Sequence, residues 1–409
     1  MAKSTFYVGL EIGTSKICVV VGEAKPDGAI KILGVGQAPS RGIRKGEIID
    51  FETAQTCLHD ALVRAEDRSD VMIQNVFLAV TGSHVESLNN RGTITLPDDQ
   101  GEVTEEDLEE VKEIARDVTI PQQNVFLHSI IRHYFVDGQE KVLNPVGMFG
   151  KRLEADYHII HGVRTRIQNT IRCVREIDLE VEDVVFSAIA SAQVVLNAEA
   201  KKRGALVIDI GGGTSDYVLY ADGAVAQSGC VGVGGDHITN DISLVLKIPL
   251  SKAEKLKVEE GSAMYNEEQN GEFVKMEDDP QFAGRQIDRG LLNQIINSRV
   301  SENFEFIREK LARTGDLDRV GAGLYLTGGC SRLDGIDTLA EEIFEMPVHR
   351  SNVTAMSGRT ATFENPQYAT PIGLIRYAQI LESERPKGGK IAKLGKKLGG
   401  LFGSSNLFI

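Results

Sequence analysis

The stretch that most constrains this chain is LVIDIGGGTSD, residues 206–216. Leu206, Val207 and Ile208 read as a buried strand, Asp209 puts a carboxylate near its end, and three consecutive glycines follow. Apolar residues return at once in Tyr217, Val218, Leu219 and Tyr220, where a dinucleotide fold or a P-loop would need a helix. Strand, glycine turn and strand predict a hairpin instead. Glycine lets backbone N–H groups approach an anion with no Cβ in the way. An acid just before such a turn would repel phosphate unless a divalent cation lay between them. The local expectation is therefore Mg²⁺–nucleotide phosphate binding, against the plainer reading of a tight hairpin with an exposed aspartate.

The same grammar recurs near the N-terminus. VGLEIGTSKICVVVGE, residues 8–23, runs from an apolar strand to an acid (Glu11), then Ile12 and Gly13, then Thr14 and Ser15, and into a second apolar strand over 17–21. Each half of the chain thus supplies one acid-bearing hairpin, and two hairpins facing across a cleft can grip phosphates from both sides. A third glycine site, LYLTGGCSRLDGI at 324–336, ends a strand in Gly328-Gly329. An amphipathic helix through Ile336, Leu339, Ile343 and Phe344 is predicted after it. The glycine pair would let a flat base or ribose lie against the backbone. Three such sites in this order are far more specific than one.

A chain of 409 residues suggests two or more domains with substantial cores. The five cysteines (Cys18, Cys57, Cys173, Cys230, Cys330) are scattered and read as reduced thiols of a cytosolic protein. The histidines form no metal-like cluster; His158 and His161 read as structural. No signal peptide and no bilayer-spanning run are expected. Net charge is −14, unevenly spread: beyond Glu384 there is no acid, only Arg385 and five lysines. So acidic a body repels nucleic acid, and no nucleic-acid partner is expected.

In chain order, Asp50 is expected to cap a helix with Phe51, Ala54, Leu58, Ala61 and Leu62 inward. An excursion over 83–162 holds strand-like pieces and one helix opened by the capping-box pattern Thr104-x-x-Asp107. A helix with Ile167, Ile171, Val174 and Ile177 inward follows, and another opens at a glycine pair in 232–246. Ser251-x-x-Glu254 after Pro249 reads as a further capping box. Residues 261–285, acidic and rich in Asn and Gly, read as a loop with one short strand. A long helix is predicted over 288–313, and Thr370 with Pro371 as cap and first residue of the last core helix. In KIAKLGKKLGGLF, residues 390–402, Ile391, Leu394, Leu398, Leu401 and Phe402 share one helical face while Lys393, Lys396 and Lys397 lie elsewhere. Each glycine there lowers helicity by up to about 1 kcal/mol relative to alanine. The segment is expected to fold only against something apolar. A basic amphipathic pattern without acids suits an anionic lipid surface better than a solubilising tail or a docked partner helix.

The order of these motifs resembles the phosphate-1, phosphate-2 and adenosine motifs of the actin, DnaK-type chaperone and sugar-kinase superfamily. Residues 181–192 (VEDVVFSAIASA) and 370–378 (TPIGLIRYA) resemble its two connecting helices. The resemblance implies a two-lobed α/β fold of the actin-like ATPase type: duplicated ribonuclease-H-like subdomains, a small inserted α/β subdomain and a C-terminal amphipathic helix. Lobe I would comprise 1–82, 163–198 and 366–384, with 83–162 inserted. The lobe II core would comprise 199–244 and 314–365, with 245–313 as its outer subdomain. Residues 385–390 would be a linker and 391–409 a membrane-targeting segment. LEIGTSK with Glu11 in place of the commoner Asp, KAEKLKVEEGSA, LTGGCSRLDG, the early excursion and the basic tail are similar to the FtsA family of actin-like bacterial cell-division proteins. That implies an ATP-binding protein polymerising on the cytoplasmic face of the inner membrane at the division septum. It would tether FtsZ filaments through their C-terminal tails and recruit later division proteins through the inserted subdomain.

On this resemblance Gly13, Thr14, Ser15 and Lys16 match the first phosphate loop, with Lys16 reaching the β- or γ-phosphate. Asp209, Gly211, Gly212, Gly213 and Thr214 match the second, and Glu11 with Asp209 would hold Mg²⁺ through waters. Gly234 and Gly235 match a ribose-contacting turn, and Gly328 and Gly329 the adenosine turn. Glu254 and Lys257 match ribose and base contacts, an ion pair being the plainer reading. Arg299 matches a position that meets the FtsZ tail. Ile391, Leu394, Lys396, Lys397, Leu398, Leu401 and Phe402 would meet lipid. Brisk hydrolysers of the superfamily carry Gln or Glu near the start of the first connecting segment; here VFSAIAS offers Ser187 and no carboxylate, so slow hydrolysis and no catalytic residue are expected. The rival readings are a small-molecule kinase, for which no stretch volunteers a base, a chaperone, for which the chain ends too soon, and a pilus-assembly actin homologue.

Overall fold

The computed structural model describes residues 5–25, 29–96, 101–278, 283–350, 356–357 and 365–384. Both acid-bearing stretches fold as hairpins: Thr5–Ile12 pairs antiparallel with Lys16–Ala24, and Ala205–Ile210 with Ser215–Ala221. Each acid sits one step before its turn, Glu11 opposite Cys18 and Asp209 opposite Asp216. Ile30–Pro39 completes a meander in the first half and Ala224–Val231 in the second. In both sheets two further strands, parallel to the first, extend its free side. These are Asn75–Val80 and Glu180–Phe186 in one, Leu324–Thr327 and Val348–Arg350 in the other. The short strand Met356–Ser357 adds to the outer edge of the first sheet. The two halves are one design used twice.

Parallel neighbours need crossovers, and helices supply them. Asp50 caps the helix Phe51–Ser69 as expected, accepting from the Thr53 backbone N–H. Its Ala54, Leu58, Ala61 and Leu62 are buried against the first sheet. The other face of that sheet is covered by two crossing helices, Ser187–Val195 and Ala369–Glu384. They touch at Gly373, where a Cβ would overlap the Ala190 carbonyl oxygen.

The excursion builds a three-stranded sheet of Glu86–Thr95, Arg152–Val163 and Asn124–Val136, covered by the helix Glu105–Arg116 with its Thr104–Asp107 capping box. It has a core of its own around Leu108, Val111, Leu153 and Tyr157. This unit docks on the edge strand Ala224–Val231 of the second sheet through polar contacts. Ser87 Oγ donates to the Ser228 carbonyl (2.7 Å) and Asn89 Nδ2 to that of Ala226 (2.9 Å), while buried His158 joins Asn89 Oδ1 to Ser228 Oγ. A sheet edge that would otherwise invite pairing is thereby closed.

Three local expectations need correction. Residues 181–192 are not one helix: Glu180–Phe186 is a strand, and the helix starts at Ser187. The Ser251–Glu254 capping box does not form, because Leu250–Glu260 starts on Pro249 with no side-chain cap and Glu254 turns to Lys257 and Thr239. Residues 261–285 hold the one short strand expected of them. A 3₁₀ turn, Glu267–Gln269, precedes Phe273–Lys275, which pairs with Gln286–Asp288. Thr370 is no cap: Asn365 caps a 3₁₀ turn, Pro366–Tyr368, and the last helix begins at Ala369. The expected linker and the residues expected to meet lipid, Ile391, Leu394, Lys396, Lys397, Leu398, Leu401 and Phe402, lie outside the described residues. No described helix is long and apolar enough to cross a membrane.

Candidate functional site

The turns of the two hairpins come together. A Cβ on Gly212 would stand 3.0 Å from Ser15 Cβ, and one on Gly213 would overlap Thr14 Oγ1 and lie 2.9 Å from Lys45 Cα. Thr14 Oγ1 accepts from the Gly46 N–H (3.0 Å), so the strand connection at 45–46 braces both loops from behind. Between the loops opens a cavity of about 280 Å³. Its walls include Glu11, Gly13, Thr14, Ser15 and Lys16 from the first hairpin, and Asp209, Gly211, Gly212, Gly213 and Thr214 from the second. Gly235, Glu254, Lys257, Gly328 and Gly329 complete the set that the sequence singled out.

Two residues do not join them. Gly234 stands behind the second loop, close to the Gly211 and Gly212 carbonyls, while the N–H groups of Gly235 and Asp236 donate to those carbonyls. That latch uses the first N–H groups of the helix Gly235–Leu246. Arg299 lies on the helix Arg289–Ala312, away from the cavity, held by Asp241 at 2.5 Å and by Glu302.

Sequence reasoning missed Thr81, Asp216, Asp236, Cys330, Arg332, Gln367 and Thr370, all on the walls. Asp216 and Arg332 stand inside or beside the quoted motifs. Thr81 follows the strand Asn75–Val80, but only the assembled fold brings it to Asp216, whose two carboxylate oxygens lie 2.6 and 2.7 Å from its hydroxyl. Thr370 is the more instructive case. Its hydroxyl donates to Asp209 Oδ2 at 2.8 Å, and Ser191 Oγ donates to the same oxygen at 2.5 Å. One hydroxyl comes from each crossing helix, so the second loop's carboxylate is held by both.

The electrostatics are unbalanced. Burial pushes Glu11 up to about 7 against the pull of Lys16, with Asp209 and Asp216 adding to the rise. Burial likewise lifts Asp216 to about 7 and raises Asp209, whose hydroxyl partners and Lys16 oppose it. Against these three acids stands Lys16, whose ammonium donates to the Gln367 carbonyl (2.5 Å) and lies 4.5 Å over the Tyr368 ring. Glu11 Oε2 is buried without a partner. An orphaned acceptor, excess negative charge and glycine-lined loops fit a divalent cation carried in with an anion. Among the described residues no three His, Cys, Asp or Glu side chains gather closely enough to hold a metal alone. A cation here would keep water and phosphate oxygens in its shell, as Mg²⁺ prefers.

Glu11 carries a testable pH dependence. Its folded value lies above the ordinary 4.5, so folding takes up a proton between about 4.5 and 7. The stability it confers is present below that window and is lost as pH rises through it. Glu11→Gln should therefore gain on the wild type, without nucleotide, between about pH 5 and pH 7.5, read as the difference in thermal midpoints. A difference that does not vary with pH contradicts this.

The chain matches a family model described as Cell division protein FtsA over residues 206–373, and one described as SHS2 domain inserted in FTSA over 82–161. It is 36% identical to Cell division protein FtsA of Pseudomonas aeruginosa over 377 residues, 92% of this chain and 90% of that protein. With the Escherichia coli protein of that name it shares 34% over 392 residues, 93% of this chain and 92% of the other. Among solved structures it is similar to the PilM–PilN type IV pilus biogenesis complex (TM-score 0.62, 15% identity, covering 91% of this chain and 98% of that one). It is also similar to MreB5 of Spiroplasma citri bound to ADP (TM-score 0.52, 17% identity, 96% and 99%). These structural likenesses show the actin-like fold; the sequence relatives separate the chain from the pilus proteins that share it.

Proposed function

The chain belongs to the FtsA family of cell division proteins, and we propose that it is an ATP-binding scaffold of the division ring. The observation that carries this reading is the shared cavity: two acid-bearing glycine loops from duplicated sheets face each other, with a third glycine turn beside them. Backbone N–H groups at Gly13–Ser15 and Gly211–Thr214 would cradle the phosphates from opposite sides, and Lys16 would exchange the Gln367 carbonyl for a phosphate oxygen. Glu11 and Asp209 would hold Mg²⁺ through waters, the ion offsetting phosphate charge when bound. Gly328 and Gly329 would take the nucleoside, with Gly235 and Glu254 near the ribose.

Hydrolysis is slow on this reading. Ser187, the cavity residue at the start of the first crossing helix, spends its proton on the Val80 carbonyl and supplies no carboxylate to orient a water. ATP acts chiefly as a clamp that closes the lobes and favours polymerisation. The filament lies on the cytoplasmic face of the inner membrane, with FtsZ held by its C-terminal tail and later division proteins recruited through the inserted subdomain. A carboxylate of the FtsZ tail meeting Arg299 would have to displace Glu302, the more exposed of its two partners.

The basic C-terminal segment supplies the lipid contact. Each lysine near an anionic surface adds about 1 kcal/mol, and ordering a glycine-rich segment opposes it, so one tail binds reversibly and a filament gains by avidity. Pelleting with anionic liposomes tests this. With ATP the full chain should sediment and a chain lacking 390–409 should stay in the supernatant; equal sedimentation of both would refute the tail's role.

A further inference from the structure

The inserted subdomain is tethered to one half of the molecule and rests on the other. The chain enters it from the first sheet, through Thr81 and Gly82 after the strand Asn75–Val80, and leaves it through Val163 into the helix Arg164–Arg175. Its seat is the strand Ala224–Val231 of the second sheet, together with Asp222 in the turn just before it. It therefore bridges the two halves that carry the facing glycine loops.

At the centre of this seam a hydrogen-bond relay begins and ends on the second sheet's strand. The Asn89 amide gives an N–H to the Ala226 carbonyl (2.9 Å), which leaves its Oδ1 to accept from His158 Nδ1 at 2.7 Å. Burial pushes His158 down to about 3, with Arg132 and His128 adding to the drop, so the ring is neutral. Its Nε2 is thus an acceptor and takes the Ser228 hydroxyl proton at 2.8 Å. At the rim, His133 Nε2 donates to the Asp222 carbonyl (3.3 Å) and half-exposed Lys141 pairs with the Asp222 carboxylate. Each of these groups can turn to water once the seam opens, so parting them costs little. Polar seams between domains permit relative motion. The side toward the first sheet is built differently. Val125, Leu127, Ile130 and Ile160 join the large core there, and His128 Nε2 accepts from the Phe186 N–H at 3.0 Å.

The seam is also close to the cavity. The strand Ser215–Ala221 lies between the docking strand and the second loop, with Ser228 opposite Val218 and Cys230 opposite Asp216. Asp216 holds the Thr81 hydroxyl, and at the next residue, Gly82 (φ 134°), the chain turns into the inserted subdomain. A rotation of the second sheet that parts the glycine loops, which meet at Gly212 and Ser15, would carry the docking strand away from a subdomain fixed to the first sheet. From this arrangement we infer that the inserted subdomain is a releasable strap, docked while the loops are closed and freed when they part. Nucleotide occupancy then decides whether its Asn89–His158 face is covered. This rests on the nucleotide reading above, because a ligand gripped by both loops favours the closed arrangement and with it the docked strap.

Labelling of the full chain with diethyl pyrocarbonate, which acylates a neutral imidazole nitrogen, tests the inference when read by peptide mass spectrometry. His158 is 1% exposed with both nitrogens occupied, so it reacts only from the released state. Saturating Mg²⁺–ATP should slow its labelling at least about fivefold relative to the nucleotide-free chain. His128, buried on the side fixed to the first sheet, should stay equally protected in both. Asn89→Ala cuts the relay without touching the cavity, and should speed His158 labelling in the absence of nucleotide while leaving His128 unchanged. If calorimetry shows ATP bound and His158 is labelled at one rate with and without it, the inference fails and the nucleotide reading stands. His128 labelled in step with His158, or Asn89→Ala labelled no faster than wild type, overturns it as well. If ATP does not bind, the nucleotide reading fails and this inference with it.

Discussion

Asp209→Asn is expected to cost about 100-fold in Mg²⁺–ATP affinity while leaving the fold intact. The asparagine keeps an acceptor oxygen for the Ser191 and Thr370 hydroxyls that meet Asp209 Oδ2, so the two crossing helices stay bridged. What goes is the negative charge that would hold a divalent cation from the second lobe. Losing an outer partner of a metal typically costs 10- to 100-fold, and a charged one belongs at the upper end of that range. Ser191→Ala or Thr370→Val, which free the carboxylate without discharging it, should cost nearer tenfold. Calorimetric affinities set beside thermal midpoints separate the two effects. If Asp209→Asn binds as tightly as wild type, the carboxylate has no part in holding the cation.

Gly373→Ala is expected to lower the thermal midpoint by several degrees, although alanine favours helix over glycine by up to about 1 kcal/mol. The added Cβ would overlap the Ala190 carbonyl oxygen and come 2.5 Å from its carbon, atoms of a helix backbone that cannot swing aside. Overpacking of this kind costs about 1–3 kcal/mol. The two helices must part, and they carry Thr370 and Ser191, so nucleotide affinity should fall as well. Gly329→Ala is the control, because a Cβ there meets nothing. Scanning calorimetry of both variants checks the pair; equal midpoints would mean the crossing is looser than its geometry implies.

The features legible in the sequence were those fixed by neighbours a few residues apart. An acid, a glycine turn and two apolar runs specify a hairpin wherever they occur, so both loops and their acids could be read directly. The Asp50 and Thr104–Asp107 caps were readable for the same reason. What failed were local rules overruled by distant partners. Glu254 has the right spacing for a capping box, but buried Lys257 and Thr239 make a stronger claim on its carboxylate. Thr370 looks like a cap beside Pro371, yet a carboxylate 161 residues away takes its proton. The bracing of both loops by residues 45–46 and the tie from Lys16 to Gln367 depend on the closed fold. No spacing in the sequence announces them.

The central claim is that the two glycine loops close on a single magnesium-bound triphosphate. It is tested most directly by titrating ATP into the wild-type chain at about pH 7.5, once with Mg²⁺ and once with a chelator. One ATP per chain is expected, with affinity falling at least about tenfold when the cation is removed, since bare phosphates would then face Glu11, Asp209 and Asp216. Binding that is unchanged by the chelator, or absent under both conditions, would contradict it.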